Sequence, residues 1–179
     1  MRFPCWLVAA AALCCVSCSN EPAAQTPPAP TPVTLGQAIA QAVARNAPDL
    51  IGPAYQANVA YYQQQPWNRV DLNGDGQDEV MAAVMYAVTA DGEKWYLPGA
   101  TGNGPLFILA KDASGWRCIA DVSGSGCDIQ NEFVNGWPVI HCSWRMSLDD
   151  YPTYRMEYHD GQYIKVGEPW NSAPAEDSN

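Results

Sequence analysis

The stretch LFILAKDASGWRCIADV, residues 106–122, decides the fold. Two runs of apolar and β-branched residues, Leu106 to Lys111 and Trp116 to Val122, are separated by Asp112-Ala113-Ser114-Gly115. A short polar connection with glycine near its end joins antiparallel neighbours, so the stretch predicts a β-hairpin. Upstream, Val80 to Val88 is a continuous run of small apolar and β-branched residues and predicts one central strand. Downstream, Pro138 to Met146 alternates, with Ile140, Cys142, Trp144 and Met146 on one face and Val139, His141, Ser143 and Arg145 on the other. Tyr154 to His159 and Gln162 to Val166 flank Asp160-Gly161, a strong two-residue hairpin turn. Six strands result. Residues 95–105 and 123–136 read as long connections, where a binding surface is expected.

Helical spacing precedes the strands. Thr34 with Gln37 three residues on reads as a capping box, followed by Leu35, Ile39, Ala42 and Val43 on one face. Asn46-Ala47-Pro48 stops that helix, and a second helical stretch covers residues 54–63. Helices first and hairpins afterwards predict an α+β domain rather than βαβ units. The expected architecture is an antiparallel sheet of about six strands with one or two N-terminal helices packed on one face.

Composition sets the outer bounds. The 179 residues are enough for one domain with a real core, and 47% hydrophobic content with 7 Trp and 9 Tyr excludes a chain disordered from end to end. Nineteen acidic residues face nine basic ones, a formal charge of −10, which argues against phosphate backbones and hence against nucleic acid as a partner.

The amino end carries one basic residue, Arg2, then the apolar stretch Trp6 to Val16, then Ser17-Cys18. About eleven apolar residues are too few for a hydrocarbon core that needs roughly 20, so residues 1–17 read as a signal peptide and not as a membrane span. Cys15-Val16-Ser17-Cys18-Ser19 resembles a bacterial lipoprotein cleavage box. That resemblance implies lipidation of Cys18 and an outer-membrane lipoprotein facing the periplasm or exterior, attached to membrane through the lipid alone. The alternative is a soluble periplasmic or secreted protein. Residues 18–33, with five prolines between 19 and 33, read as an extended tether, residues 34–170 as a single domain and 171–179 as a disordered tail.

Without residues 1–17 the chain keeps eight basic and nineteen acidic residues, a net of −11, and its folded part keeps Cys118, Cys127 and Cys142. Three thiols in an oxidising compartment allow one disulfide and one leftover. If residues 123–126 form a tight turn, Cys118 and Cys127 fall too far out of register for bridging Cα atoms within about 7 Å. The expectation is one disulfide that includes Cys118, with Cys142 ahead of Cys127 as its partner, and one buried thiol that reacts slowly.

The clearest local signature is DLNGDGQDE, residues 71–79. Asp71, Asn73 and Asp75 fall at positions 1, 3 and 5 of a calcium loop, Gly76 at the tight turn, Gln77 at the position that offers a backbone carbonyl, and Glu79 at position 9. Position 12 is Ala82, so the bidentate glutamate of an EF-hand is missing. DLNGDGQDEV looks like the short loops of FG-GAP and related propeller repeats. The wider order of DLNGDGQDEV, PLFILAKDASGW, FVNGWPVI and YRMEYHDGQYIKV is similar to small bacterial lipoprotein or periplasmic domains without assigned activity. The resemblance covers roughly residues 68–166 and implies a single compact domain and a structural calcium ion, with no catalytic residue to carry over. The competing reading is a Gly-rich turn whose side chains bond their own backbone.

Candidates for chemistry are thin. His141 adjoins Cys142 but points to the opposite face of its strand, and neither it nor His159 has a partner at zinc-site spacing. Asp149 with Asp150 and Asp128 with Glu132 read as solvated surface charge. Trp95 and Tyr96 beside a Gly-rich loop are the candidate binding surface. The expected function is therefore non-enzymatic: an envelope-anchored, calcium-stabilised interaction or inhibitor-like domain that contacts another envelope or extracellular protein. The alternative is a hydrolase acting on cell-wall or carbohydrate material.

Overall fold

Thr34 opens the first helix as the sequence predicts. Its hydroxyl accepts the Gln37 N–H at 3.3 Å while Gln37 Oε1 accepts the Thr34 N–H at 2.8 Å. The computed structural model describes residues 31–52 and 54–171. The expected signal peptide, Cys18, the expected tether up to residue 30 and residues 172–179 lie outside the described residues. Helix α1 (Leu35–Asn46) buries Leu35, Ala38, Ile39, Ala42 and Val43 along one stripe, and Pro48 ends it by starting the one-turn α2 (Pro48–Ile51). Helix α3 (Val59–Gln64), capped by the Asn58 side chain, is shorter than the expected stretch and starts later. It crosses α1 at Gly36, where a Cβ would stand 2.4 Å from the Val59 carbonyl oxygen.

Ten strands follow, all paired antiparallel: β1 (Asn68–Val70), β2 (Glu79–Ala83), β3 (Tyr86–Val88), β4 (Lys94–Tyr96), β5 (Gly104–Asp112), β6 (Gly115–Gly124), β7 (Gly126–Val134), β8 (Trp137–Ser143), β9 (Pro152–His159) and β10 (Gln162–Asn171). The α+β class and the helical cover hold, but the expected single sheet of six strands is corrected. The described residues form three sheets, ordered β1-β2-β5-β6, β10-β9-β8-β7 and β3-β4. The expected central strand from Val80 to Val88 is two strands. The Val84 N–H still bonds Pro105, but the Met85 carbonyl turns to Leu97, so Tyr86 onwards pairs with Lys94 to Tyr96 in a separate hairpin. Residues 123–136 are not a loop, because Gly124-Ser125-Gly126 carries the chain from one four-stranded sheet into the other.

The layers stack as helices on sheet on sheet. Val80, Ala82, Phe107 and Leu109 face the helices and form one core with Ile39, Val43 and Tyr62. Ile108, Ala110, Ala120 and Val122, on the opposite face of the same sheet, form a second core with Ile140, Cys142, Met156 and Tyr163 of the other sheet. A middle layer buried on both faces explains why residues 106–110 read as a continuous apolar run instead of alternating. No helix among the described residues is long and apolar enough to cross a membrane.

The cysteine expectation is overturned. Cys127 bonds Cys142, with Cα atoms 4.1 Å apart, and Cys118 is free. The cause is the passage between sheets at Gly124–Gly126. It sets β7 beside β8 with Cys127 directly opposite Cys142, and leaves Cys118 on the helix-facing side of β6, in a different sheet. Burial, with the Asp121 carboxylate nearby, pushes the Cys118 thiol up to about 11, so the expectation of one slow-reacting thiol now attaches to Cys118.

Candidate functional site

The loop between β1 and β2 is organised by its own acidic side chains. Asp71 Oδ1 accepts the N–H groups of Gly74 and Asp75 at 2.8 and 3.2 Å, and its Oδ2 accepts that of Gly76 at 2.9 Å. Asn73 Oδ1 accepts the Asp75 N–H, Asp75 Oδ1 accepts that of Gln77, and Asn73 Nδ2 donates to Asp75 Oδ2 at 3.1 Å. Gly74 and Gly76, at φ 75° and 85°, take the left-handed conformations this winding requires. The sequence-derived set divides here. Asp71, Asn73 and Asp75 gather on one exposed turn, and their hard oxygens suit a calcium ion in kind. Glu79 is 2% exposed and turned inward, where its Oε2 accepts the Leu72 N–H at 2.9 Å. Among the described residues no three His, Cys, Asp or Glu side chains stand grouped as a metal cluster.

Burial, followed by the charges of Asp75 and Asp71, raises the Glu79 carboxyl above its ordinary value of 4.5. A folded-state value above the unfolded one makes ionised Glu79 a penalty on folding. The penalty is absent below about pH 4.5, where the carboxyl is protonated in both states, and is complete once pH passes the folded value. Glu79→Gln keeps an acceptor for Leu72 and cannot ionise. In chelator, its melting temperature is expected to exceed that of the wild type at pH 7 and to converge with it near pH 4. A difference that is constant with pH would show that the charge of Glu79 is not the cause.

Trp95 and Tyr96 do not share a surface. Trp95 packs against the helix-side core, whereas Tyr96 is 53% exposed and meets Tyr86 with ring centroids 5.6 Å apart. His141 and Cys142 do point to opposite faces: Cys142 is buried in its disulfide, and the His141 ring meets Trp170 edge-on at 4.9 Å. On the outer face of the second sheet Glu132, expected like Asp128 to be solvated surface charge, forms a two-pronged ion pair with Arg155, whose Nε also bonds Glu157, and Glu157 in turn bonds His159 at 3.1 Å. Arg155 holds both carboxyls below their usual range. This row links strands that are remote in sequence, so spacing alone could not reveal it.

Two cavities went unread in the sequence. The first, of about 340 Å³, is lined by residues that include Asn68, Met81, Met85, Leu106, Gly126 and Cys127, with no ionisable side chain among them. The second, of about 300 Å³, is lined by Val70, Asp71, Leu72 and Pro138 with Ile129 to Asn131 and Phe133. The second lies between β1 and β7, edge strands of different sheets; the first reaches the same edges through Asn68 and Cys127 and extends beneath β2, β5 and the Gly124–Gly126 passage.

No protein-family model matches the chain, and no characterised protein or solved structure matches it at a significant level.

Proposed function

We propose that this chain is an exported domain, anchored through Cys18 to the bacterial outer membrane, that binds another envelope or extracellular protein and draws stability from calcium in the loop of Asp71, Asn73 and Asp75. The observation that carries the binding reading is the first cavity, an apolar hollow with two methionines and no ionisable side chain in its lining. Methionine suits a surface that adapts to the partner's shape. The Cys127–Cys142 bridge supports export, because such bonds persist in oxidising compartments.

The alternative reading, a hydrolase acting on cell-wall or carbohydrate material, is favoured by a different observation. Glu132 and Glu157 converge on Arg155, on the sheet face that carries His141 and Trp170. A carboxylate pair near an aromatic ring is what sugar chemistry asks for. Both carboxyls are held ionised, however, which supplies a base or nucleophile and leaves the proton donor unassigned.

One preparation separates the two. The tagged mature domain is incubated with envelope extract in calcium and in chelator, and separately with purified wall polymer. The binding reading expects a stoichiometric partner in calcium that is lost in chelator and with the Asp71→Ala, Asp75→Ala pair. Release of soluble sugar by wild type, abolished in Glu157→Gln, would replace it with the hydrolase.

A further inference from the structure

The two four-stranded sheets lie with β6 over β10 on one flank and β1 over β7 on the other, and the flanks differ. The β6 flank is bridged by Arg117, whose guanidinium donates to the Gly161 carbonyl and, at 3.3 Å, to the Tyr158 hydroxyl, and the cavity of about 320 Å³ on that flank carries the charged Arg45 and Asp121 in its lining. The β1 flank is open and holds both cavities. Cys127 of β7 and Asn68 of β1 line the first; Ile129 of β7 and Val70 of β1 line the second. On each strand those positions are two residues apart. An extended chain places side chains i and i+2 on one face about 7 Å apart, so the hollows lie at the spacing of a strand's alternate side chains. Among the described residues β7 has no strand on its outer side, and the narrow Cys127–Cys142 pairing turns the backbone N–H and C=O groups of Cys127 and Ile129 toward that edge. Its pairing with β8 stays regular only from Gly126 to Ile129 and then bulges. Ile129 and Phe133 stand 43% and 59% exposed at its rim.

Charge selects the occupant. Asp71 lines the second cavity, Asp75 and Asp78 stand exposed in the adjoining loop, and Asp128 lies exposed on β7. The nearby cations are engaged elsewhere. The Arg69 guanidinium sits 5.7 Å from the Trp116 ring centroid, on the helix side of its sheet, and Arg155 is held by Glu132 and Glu157. A divalent ion in the loop leaves the rim negative. A second copy of this chain would set Asp128 and its neighbours against the same acidic rim.

Resting on the binding reading above, we propose that the trough between β1 and β7 takes an extended, basic segment of the partner protein. The segment adds as a strand to Gly126–Ile129 and seats two alternate apolar side chains in the two hollows.

The test uses the mature protein in calcium and four labelled seven-residue peptides: valine alternating with Lys and Arg, valine alternating with Glu, and the basic peptide N-methylated on alternate amides in each of the two registers. The basic peptide is expected to bind at least tenfold more tightly than the acidic one. One N-methylated register should weaken it at least tenfold, and its binding should slow amide exchange at residues 126–129. Ile129→Lys should lose at least tenfold, while Ile164→Lys, exposed on β10, stays within twofold. Equal binding of the acidic peptide, unchanged binding by Ile129→Lys, or no protection at residues 126–129 would overturn the proposal. So would a dimer in sedimentation equilibrium that Ile129→Lys dissolves, which would assign the trough to a second copy. A partner captured from envelope extract equally by wild type and Ile129→Lys would keep the binding function and remove the trough from it. If the peptide results hold but nothing is captured, the binding function itself is what fails.

Discussion

Replacing Tyr62 with alanine is expected to cost about 3–5 kcal/mol of folding stability, the range for emptying a buried aromatic site. Tyr62 is fully buried, and its ring fills the space between α3, α1 and the first sheet. Its hydroxyl is as consequential as its ring. It accepts the Val88 N–H at 2.9 Å, lies 3.2 Å from the Tyr86 carbonyl as donor, and meets the Tyr55 hydroxyl at 3.0 Å. Tyr55 in turn donates to the Val88 carbonyl at 3.1 Å. This pair of phenols joins the helical layer to β3, and burial raises both hydroxyls above their ordinary value, so they remain neutral donors. Tyr62→Phe keeps most of the volume and strands the Val88 N–H. Leaving a buried donor unpaired costs about 1–3 kcal/mol. Denaturant midpoints with unchanged slope should rank the wild type above Tyr62→Phe and Tyr62→Phe above Tyr62→Ala. If Tyr62→Phe matches the wild type, the hydroxyl bonds are not holding β3.

Features that depend on neighbours in the chain were legible before the structure. The Thr34–Gln37 cap, the connection at residues 112–115 and the Asp160-Gly161 turn each concern groups within a few residues of one another, so residue type and spacing suffice. Sheet membership is a different quantity. Val80 to Val88 is uniformly apolar, and no composition signal marks Val84 and Met85 as the place where the chain leaves one sheet for another. β7 was unread because in GCDIQNEFV the polar run Gln130-Asn131-Glu132 interrupts the alternation begun by Cys127, Asp128 and Ile129. An edge strand with a bulge and much of its length in solvent lacks the alternation by which strands are recognised. That one omission moved the disulfide, since the reading that favoured Cys118 took Gly124–Gly126 as a tight turn and not as a passage between sheets. The loop of Asp71, Asn73 and Asp75 was legible as a cluster. The inward turn of Glu79 was not, because the pairing of Val70 with Glu79 sets it at the start of β2. The trough joins edges nearly sixty residues apart, and local pattern carries no trace of it.

Removing the Cys127–Cys142 bridge, as the double change Cys127→Ser and Cys142→Ser, is expected to cost about 3 kcal/mol by chain entropy for a closed loop of this length. The bonded residues are 15 apart. The loss should fall unevenly. β7 is held by β8 on one side only, its pairing is interrupted between Ile129 and Phe133, and few of its side chains are buried. Strands with little burial open first in the native state. Amide exchange should therefore accelerate across residues 126–134 well before it does in β5 or β6, which carry the doubly covered core. Reductant should shift the wild type to the midpoint of the double variant and leave that variant unmoved. Cys118→Ser should keep full sensitivity to reductant, because its thiol is already free. If Cys118→Ser instead abolishes that sensitivity, the bridge includes Cys118 and the placement of β7 beside β8 fails with it. Since β7 forms one wall of the open flank, reduction should also weaken capture of the basic peptide. The covalent bond that fixes this edge strand would then also shape the surface it presents.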